Sequence, residues 1–302
     1  MTVAPEAKES RAAQPLAPGL YLVATPIGNL EDITLRALRI LASVDRIACE
    51  DTRQTQKLLN HFEIHTPTVS YHMHNEAPRA EELVASLKQG ARIAIVSDAG
   101  TPGIADPGGQ IAAAAIAAGI PIFPVPGANA ALSALIASGL PTDQFTFHGF
   151  LPAKAGQRKT ALEELTRDTA THIFYEAPHR IVDTLADIET VFGAALHVVI
   201  ARELTKLHEE FLRGPVGELH TQLAARPVVR GEIVLLFAPG PAEKAVATQQ
   251  TIATEVAALM HAEKLSEMDA LKRVAKNRGM GKSEAYRELQ REQNRLGVRT
   301  PF

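Results

Sequence analysis

Tryptophan is absent from this 302-residue chain, and aromatic residues make up only 5% of it. A platform of many stacked aromatics for single-stranded nucleic acid is therefore not on offer. The single cysteine, Cys49, excludes an internal disulfide and suits a reducing, cytoplasmic setting. Inside the apolar run "DRIACE" it reads as a small buried hydrophobe rather than a nucleophile. No apolar run reaches the roughly 18 residues of a membrane span. Residues 1–18 lack an apolar core and predict a disordered tail rather than a signal peptide. A metal centre is not expected. His72 and His74 in "YHMHN" would share a strand face, but no Cys partner or H-E-x-x-H accompanies them.

Familiar nucleotide signatures are incomplete. "GMGKS" (279–283) ends like a phosphate-binding loop, yet Lys276 stands where its first glycine belongs and no strand precedes it. No G-x-G-x-x-G follows the first apolar run, so a Rossmann dinucleotide site is unsupported. "DAGTPG" (98–103) carries Pro102 where a common methyltransferase glycine motif needs glycine.

What is present is an ordinary soluble composition, 46% hydrophobic and 22% charged, long enough for two domains. The net charge of −3 is unevenly spread. Residues 261–302 carry ten Lys/Arg against six Asp/Glu, while the rest of the chain is acidic. A basic tail on an acidic body points to a polyanion partner.

Apolar runs at 20–25, 45–50, 67–71, 92–97 and 120–125 predict strands. Helical patterns at 31–43, 52–61, 77–89, 107–118 and 128–138 lie around them and imply parallel βαβ units. Gly119 is expected to close its helix. A boundary near Gly139–Thr142 leads to a second α/β layer, with strands at 143–150, 171–176, 197–202, 209–214 and 231–237. The runs 197–202 and 209–214 are expected to be antiparallel neighbours. The domains are thus 19–139 and 140–241, followed by a helical appendage over 245–302 of helix-turn-helix type. Within it Ser266 and Asp269 form a capping box, Gly279 ends a helix and Ser283 caps the next.

Four loops at the predicted strand ends are rich in conformational specialists, where open parallel sheets bind ligands. The first, "TPIGNLEDIT", holds Pro26 and Gly28, with Asn29 or Asp32 as the next helix cap. The second, "EDTRQTQKLL", places Glu50, Asp51 and Arg53 at a strand end. The third is "SDAGTPGIADPG" (97–108), in which Asp106 and Pro107 start the following helix. The fourth, "VPGANAALSAL", is a Pro-Gly turn into a helix of small residues. Together they suggest a ligand held largely by main chain.

The blocks "LVATPIGNLEDITLRAL", "EDTRQT", "SDAGTPGIADPG", "VPGANAALSALIASGLP", "FHGFLPAK", "IFYEAPHRI" and "ARELTKLHEEFLRG", in this order, resemble the ribosomal RNA small subunit methyltransferase I family. That family belongs to the tetrapyrrole-methylase-like class of S-adenosyl-L-methionine (AdoMet) methyltransferases. The likeness covers about 19–240, and the basic tail is similar to the family's appendage. It implies an α/β fold of two domains, a parallel sheet first and a mixed sheet second, with AdoMet in the cleft between them. It also implies a homodimer that methylates the 2′-hydroxyl of a cytidine in 16S rRNA of the small ribosomal subunit.

Carried over residue by residue, Ser97, Asp98, Ala99, Gly100, Thr101, Ile104, Ala105 and Asp106 would cradle the methionine part, with Asp98 a partner for its amino group. Pro26 and Gly28 would form the next wall, and Ala128 and Asn129 would contribute main chain. Tyr175, Glu176, Ala177, Ala238 and Pro239 would close over the adenosine. Methyl transfer to a weakly nucleophilic hydroxyl calls for alignment and a proton acceptor. Glu176 and Asp51 are the first candidates, ahead of Glu50, Glu203, Lys154 and Lys206. Arg53, Lys154, Arg158, Arg180, Arg202 and Lys206 are candidate RNA contacts. The alternatives are a tetrapyrrole C-methyltransferase of the same fold and a non-catalytic AdoMet- or RNA-binding scaffold.

Overall fold

In the computed structural model, residues 15–239, 252–277, 280–281 and 285–290 are described. Five strands in the first half form a wholly parallel sheet. In chain order they are β1 (Gly19–Val23), β2 (Arg46–Cys49), β3 (Thr68–Ser70), β4 (Arg92–Val96) and β5 (Ile122–Val125), arranged β3-β2-β4-β1-β5. Between them run α1 (Leu35–Leu41), α2 (Thr52–His61), α3 (Glu76–Lys88) and α4 (Gly109–Ala117), and α5 (Ala130–Ser138) follows. The strands are apolar at successive positions because both faces are covered. Val23, Ile47, Cys49 and Val96 meet Ile40, Leu41 and Leu59 on one side. Leu20, Ala48, Ile93 and Ile95 meet Leu83, Leu87 and Ile111 on the other. Cys49 is fully buried, and its thiol is pushed up by that burial, as a structural hydrophobe requires.

The second sheet is mixed, in the order β6-β7-β10-β8-β9: β6 (Phe145–Phe150), β7 (Thr171–Glu176), β8 (His197–Arg202), β9 (Glu210–Pro215) and β10 (Ile233–Phe237). β8 and β9 pair antiparallel, as their spacing predicts. Helices α6 (Ala155–Glu163), α7 (Ile181–Phe192) and α8 (Val216–Ala224) cover one face through Leu162, Leu185, Ile188 and Leu223. The other face receives α5. Ala131, Ala134 and Leu135 pack against Ile173, Val199 and Leu236, with Ile27 of the first loop beside them. A helix of the first half thus forms the joint with the second sheet.

Two helix starts differ from expectation. The 31–43 pattern splits, because Ile33 is extended. Asn29 caps a short 3-10 turn (Leu30–Asp32), and α1 is capped by Thr34 instead of Asn29 or Asp32. α4 begins after Gly108, so neither Asp106 nor Pro107 is its cap. Residues 15–18 are also described, with Leu16 against the first core and the Tyr21 hydroxyl donating to the Ala17 carbonyl, so the predicted tail 1–18 is too long.

The chain divides into two compact units, 1–240 and 241–302. In the second unit α9 (Ile252–Glu263) and α10 (Glu267–Asn277) share a core of Ile252, Val256, Leu271 and Val274, which Leu289 joins. The Ser266 cap is present, with the Asp269 N–H donating to Ser266 Oγ at 3.2 Å and the Ser266 hydroxyl donating to the Asp269 carboxylate at 2.7 Å. Gly279, Ser283 and most of "GMGKS" lie outside the described residues. No described helix is long and apolar enough to cross a membrane.

Candidate active site

The four small-residue loops stand at the carboxyl ends of the parallel strands and are tied together by backbone and side-chain hydrogen bonds. Thr25 and Gly100 exchange both backbone hydrogen bonds, at 2.8 and 3.1 Å. The Thr25 hydroxyl adds a bond to the Ser97 carbonyl. Gly100 has a φ of +85°, and a Cβ there would stand 3.2 Å from Ile27 Cγ2, so this contact is open to glycine alone. The Thr101 hydroxyl donates to the Ala128 carbonyl, and Asn129 caps α5 through the Leu132 N–H. Behind the third loop the buried Glu76 accepts from the Gly108 N–H and the Tyr71 hydroxyl. Ala105 holds a left-handed φ of 61°, a strained conformation for a residue with a side chain.

Between this edge and the second sheet lies a cavity of about 340 Å³. Ala99, Gly100, Thr101, Ile104, Ala105, Asp106 and Asn129 line it from the first half. Tyr175, Glu176 and Ala177 line it from the end of β7. Ser97 is buried beneath the loop, its hydroxyl turned to the Ala99 and Gly100 carbonyls. Pro26, Gly28 and Ala128 flank lining residues without facing the cavity, and the wall there is Ile27. Asp98 stands outside it and accepts from the Asp51 N–H.

Ala238 and Pro239 do not belong to the wall. They follow the far end of β10, which is antiparallel to β7, with Ile233 opposite Glu176 and Phe237 opposite His172. The start of β10 therefore reaches the cavity, and Gly231, Glu232, Ile233 and Val234 line it. An antiparallel central strand reverses which end faces the ligand edge, and that pairing is not legible from the strand's own residues. Phe150, Pro178 and Leu204 are further lining residues that sequence reasoning missed.

Carboxylates set the electrostatics. The Asp106 carboxyl is raised to about 6 by burial, then by repulsion from Glu50 and Asp98, with the Ser97 hydroxyl opposing. Burial, then Asp98, likewise raises Glu50. The half-buried Asp106 and Glu50 thus lie within reach of a third carboxylate, the exposed Asp98, and like charge of this kind favours a cation beside it.

The two candidate proton acceptors are already engaged. Glu176 is 2% exposed, with one oxygen accepting from the Ala177 N–H at 2.8 Å and the other from the Thr184 hydroxyl at 2.7 Å. Arg180 Nε lies 3.3 Å from it. Asp51 caps α2 and is gripped by Arg53, which holds its carboxyl below the usual range. Neither oxygen pair is free to take a proton.

The RNA candidates divide in the same way. Arg158, 4% exposed, is spent on Asp187 at 2.6 Å, which corrects its assignment as a phosphate contact. Arg180 donates to the Leu151 and Pro152 carbonyls, and Arg202 pairs with Glu210. Lys206 bridges Glu203 and Glu232, its aliphatic stem lying against Gly28. All three are internal ties. Arg53 and Lys154 are exposed. His72 and His74 stand with ring centroids 6.0 Å apart, and no group of three or more His, Cys, Asp or Glu suited to a metal occurs among the described residues.

A family model described as Tetrapyrrole (Corrin/Porphyrin) Methylases matches residues 19–220. The ribosomal RNA small subunit methyltransferase I of Halalkalibacterium halodurans is 50% identical over 272 residues, covering 88% of this chain and 93% of that protein. The protein of the same name from Vibrio cholerae is 53% identical over 221 residues, 73% of this chain and 77% of the relative. Two solved structures share the fold. A diphthine synthase matches with a TM-score of 0.56 at 14% identity, covering 72% of this chain and 89% of that one. A uroporphyrin-III C-methyltransferase from Thermus thermophilus, complexed with S-adenyl homocysteine, matches with a TM-score of 0.51 at 17% identity, covering 73% and 98%. On the length and identity of these matches, the chain belongs to the tetrapyrrole methylase family and, within it, to the ribosomal RNA small subunit methyltransferase I family.

Proposed function

We propose that this chain transfers a methyl group from AdoMet to the 2′-hydroxyl of a cytidine ribose in 16S rRNA of the small ribosomal subunit, acting in the cytoplasm as a homodimer. The observation that carries the reading is the cavity between the two sheets, with Asp106 in its wall, in a chain so similar along its length to rRNA methyltransferases. Bound there, AdoMet supplies a methyl group already activated on a cationic sulfur.

The residues present fit such a molecule. Ala99 to Thr101 and Ile104 to Asp106 offer small side chains and main chain, and Asp106 offers charge. Ile27, Leu204 and Val234 offer apolar surface for the adenosine. Asp106 favours the cation before transfer begins, so its contribution is to affinity. Rate comes from alignment by a loop edge locked through Thr25, Gly100 and Asn129. The acceptor hydroxyl would have to give up its proton to a group of this chain. Glu50, raised in basicity by burial and by Asp98, is a better acceptor than Asp51 or Glu176, whose oxygens are held.

RNA contact is assigned to the exposed Arg53 and Lys154 and to the basic stretch 261–302. The dimer reading has support in α5, where Leu132 and Ile136 face solvent, Ile136 at 80% exposure, opposite the face that meets the second sheet. Sedimentation of the full chain tests it. The activity is tested with methyl-labelled AdoMet, unmethylated small subunits and a tetrapyrrole precursor. Label on one cytidine ribose is expected. Label in the tetrapyrrole alone overturns the reading, and binding without transfer points to a scaffold. Removing 245–302 is expected to weaken subunit binding and flatten its salt dependence.

A further inference from the structure

We propose that Phe150 is the ring on which the target pyrimidine stacks when its ribose enters the cavity; this rests on the function proposed above. β6 and β7 run parallel in simple register from Phe145 opposite Thr171 to Phe147 opposite Ile173. Continued, that register would set Gly149 opposite Tyr175 and turn Phe150 to the other face. Instead Phe150 stands opposite Tyr175. The extra residue is absorbed at Gly149, whose φ of +68° is the left-handed conformation that glycine alone adopts without strain. A bulge of this kind re-aims one side chain beside a functional site. Its effect here is to put Phe150 on the cavity face with Phe147 and Tyr175, ring centroids 5.8 Å from Tyr175. His148 turns away and stacks on Phe174 at 4.7 Å.

The ring has nothing to cover it. Phe150 lines the cavity and is 56% exposed, whereas Phe147 and Tyr175 are half-buried. Keeping a large apolar ring in water at the rim of a small-residue cavity is unfavourable unless a partner covers it. The first-half loops and Tyr175 already enclose the inner part, so the rim faces the second reactant. Its chemistry must combine a flat apolar face with negative charge. Lys154, four residues on, is exposed and forms no ion pair among the described residues. An unstacked nucleotide meets both demands, its base on the ring and its phosphate at the ammonium.

The test uses the full chain with unmethylated small subunits. Phe150→Ala is expected to lower kcat/KM for subunits about tenfold to hundredfold, the range that loss of one stacked base gives. AdoMet affinity by calorimetry is expected to stay unchanged. Phe150→Leu, which keeps apolar bulk and guards against a folding defect, should fall as Phe150→Ala does. Phe150→Trp should retain activity. If Phe150→Ala weakens AdoMet binding as much as it lowers kcat/KM, the ring serves the cofactor and the proposal is overturned. Unchanged kcat/KM in Phe150→Ala overturns it as well. A wild-type chain that labels no subunit defeats the proposed function itself, in a control that needs no variant.

Discussion

The two sheets use the same charged residue types in opposite ways. On the parallel side, Asp106, Glu50 and Asp98 crowd one corner, and burial plus mutual repulsion raises Asp106 and Glu50. On the mixed side, charges are paired off. Arg158 meets Asp187, Lys206 spans Glu203 and Glu232, and Glu210 lies between Arg226 and Arg202 and is held down at about 2. Unrelieved like charge stores an affinity for a cation, whereas saturated pairs hold a wall in shape. The first sheet therefore offers the edge suited to a cation, and the second a braced wall that carries the exposed ring of Phe150.

The sharpest way to break this division is at Gly100. Gly100→Val adds a branched side chain at a φ of +85°, against Ile27 and beside the Thr25 bridge. Methyl transfer should fall by about a hundredfold or more, since displacing a positioning loop by about 1 Å has that cost. Circular dichroism should show the fold retained. Comparable activity in Gly100→Val would mean the loop edge does not position the donor.

The opposite kind of damage is expected from Arg158→Ala. Asp187 would be left with Lys159 alone, at 3.4 Å. Stability should drop by about 3 kcal/mol, the low end for breaking a buried pair, because that second cation remains. Thermal melting reads the loss. Below the new melting point, subunit affinity and its salt dependence should match wild type. A shallower salt slope would restore Arg158 as a phosphate contact.

How much of this contrast the sequence carries follows from which interactions are local. Strands β1 to β5 are legible because parallel strands covered on both faces are short continuous apolar runs. The four loops are legible because Gly, Pro, Asn and Asp mark their own turns. "RIVDTLADIETVF" and "LPAKAGQRK" do not disclose that Arg158 and Asp187 meet, since 29 residues separate them. The same holds for β10, whose direction decides that Ile233 and not Ala238 reaches the cavity. Phe150 was hidden for a third reason. Alternation along "FTFHGF" puts it on the wrong face, and only the glycine at 149 hints at the bulge that reverses it.

A medium effect is expected with pH, and its sign tests the crowded corner. Folded Asp106 titrates at about 6 against 3.8 for an unperturbed carboxyl, so the native chain holds its proton more tightly than the unfolded one. This site's contribution to stability is therefore largest below pH 3.8 and is lost as pH rises through about 6. A bound cation reverses the preference. Affinity for AdoMet should rise by about tenfold from about pH 5 to about pH 7, with proton release, and then level off. Asp106→Asn should flatten that rise and weaken binding at neutral pH, while raising the melting temperature of the free protein by a few degrees. A pH-independent affinity in the wild-type chain would remove Asp106 from the site.

The smallest effect sharpens the comparison most. Lys154 sits four residues before Arg158 in one basic stretch, yet it is exposed where Arg158 is buried. Lys154→Ala should leave the melting point alone. It should lower subunit affinity only about threefold near physiological salt and reduce the slope of log affinity against log salt by about one, the signature of a single lost phosphate contact. Arg158→Ala, by contrast, should change the melting point and not the slope. Measured side by side, the two variants separate charge that reads the substrate from charge that holds the wall. An equal slope change in both would show that burial does not sort them.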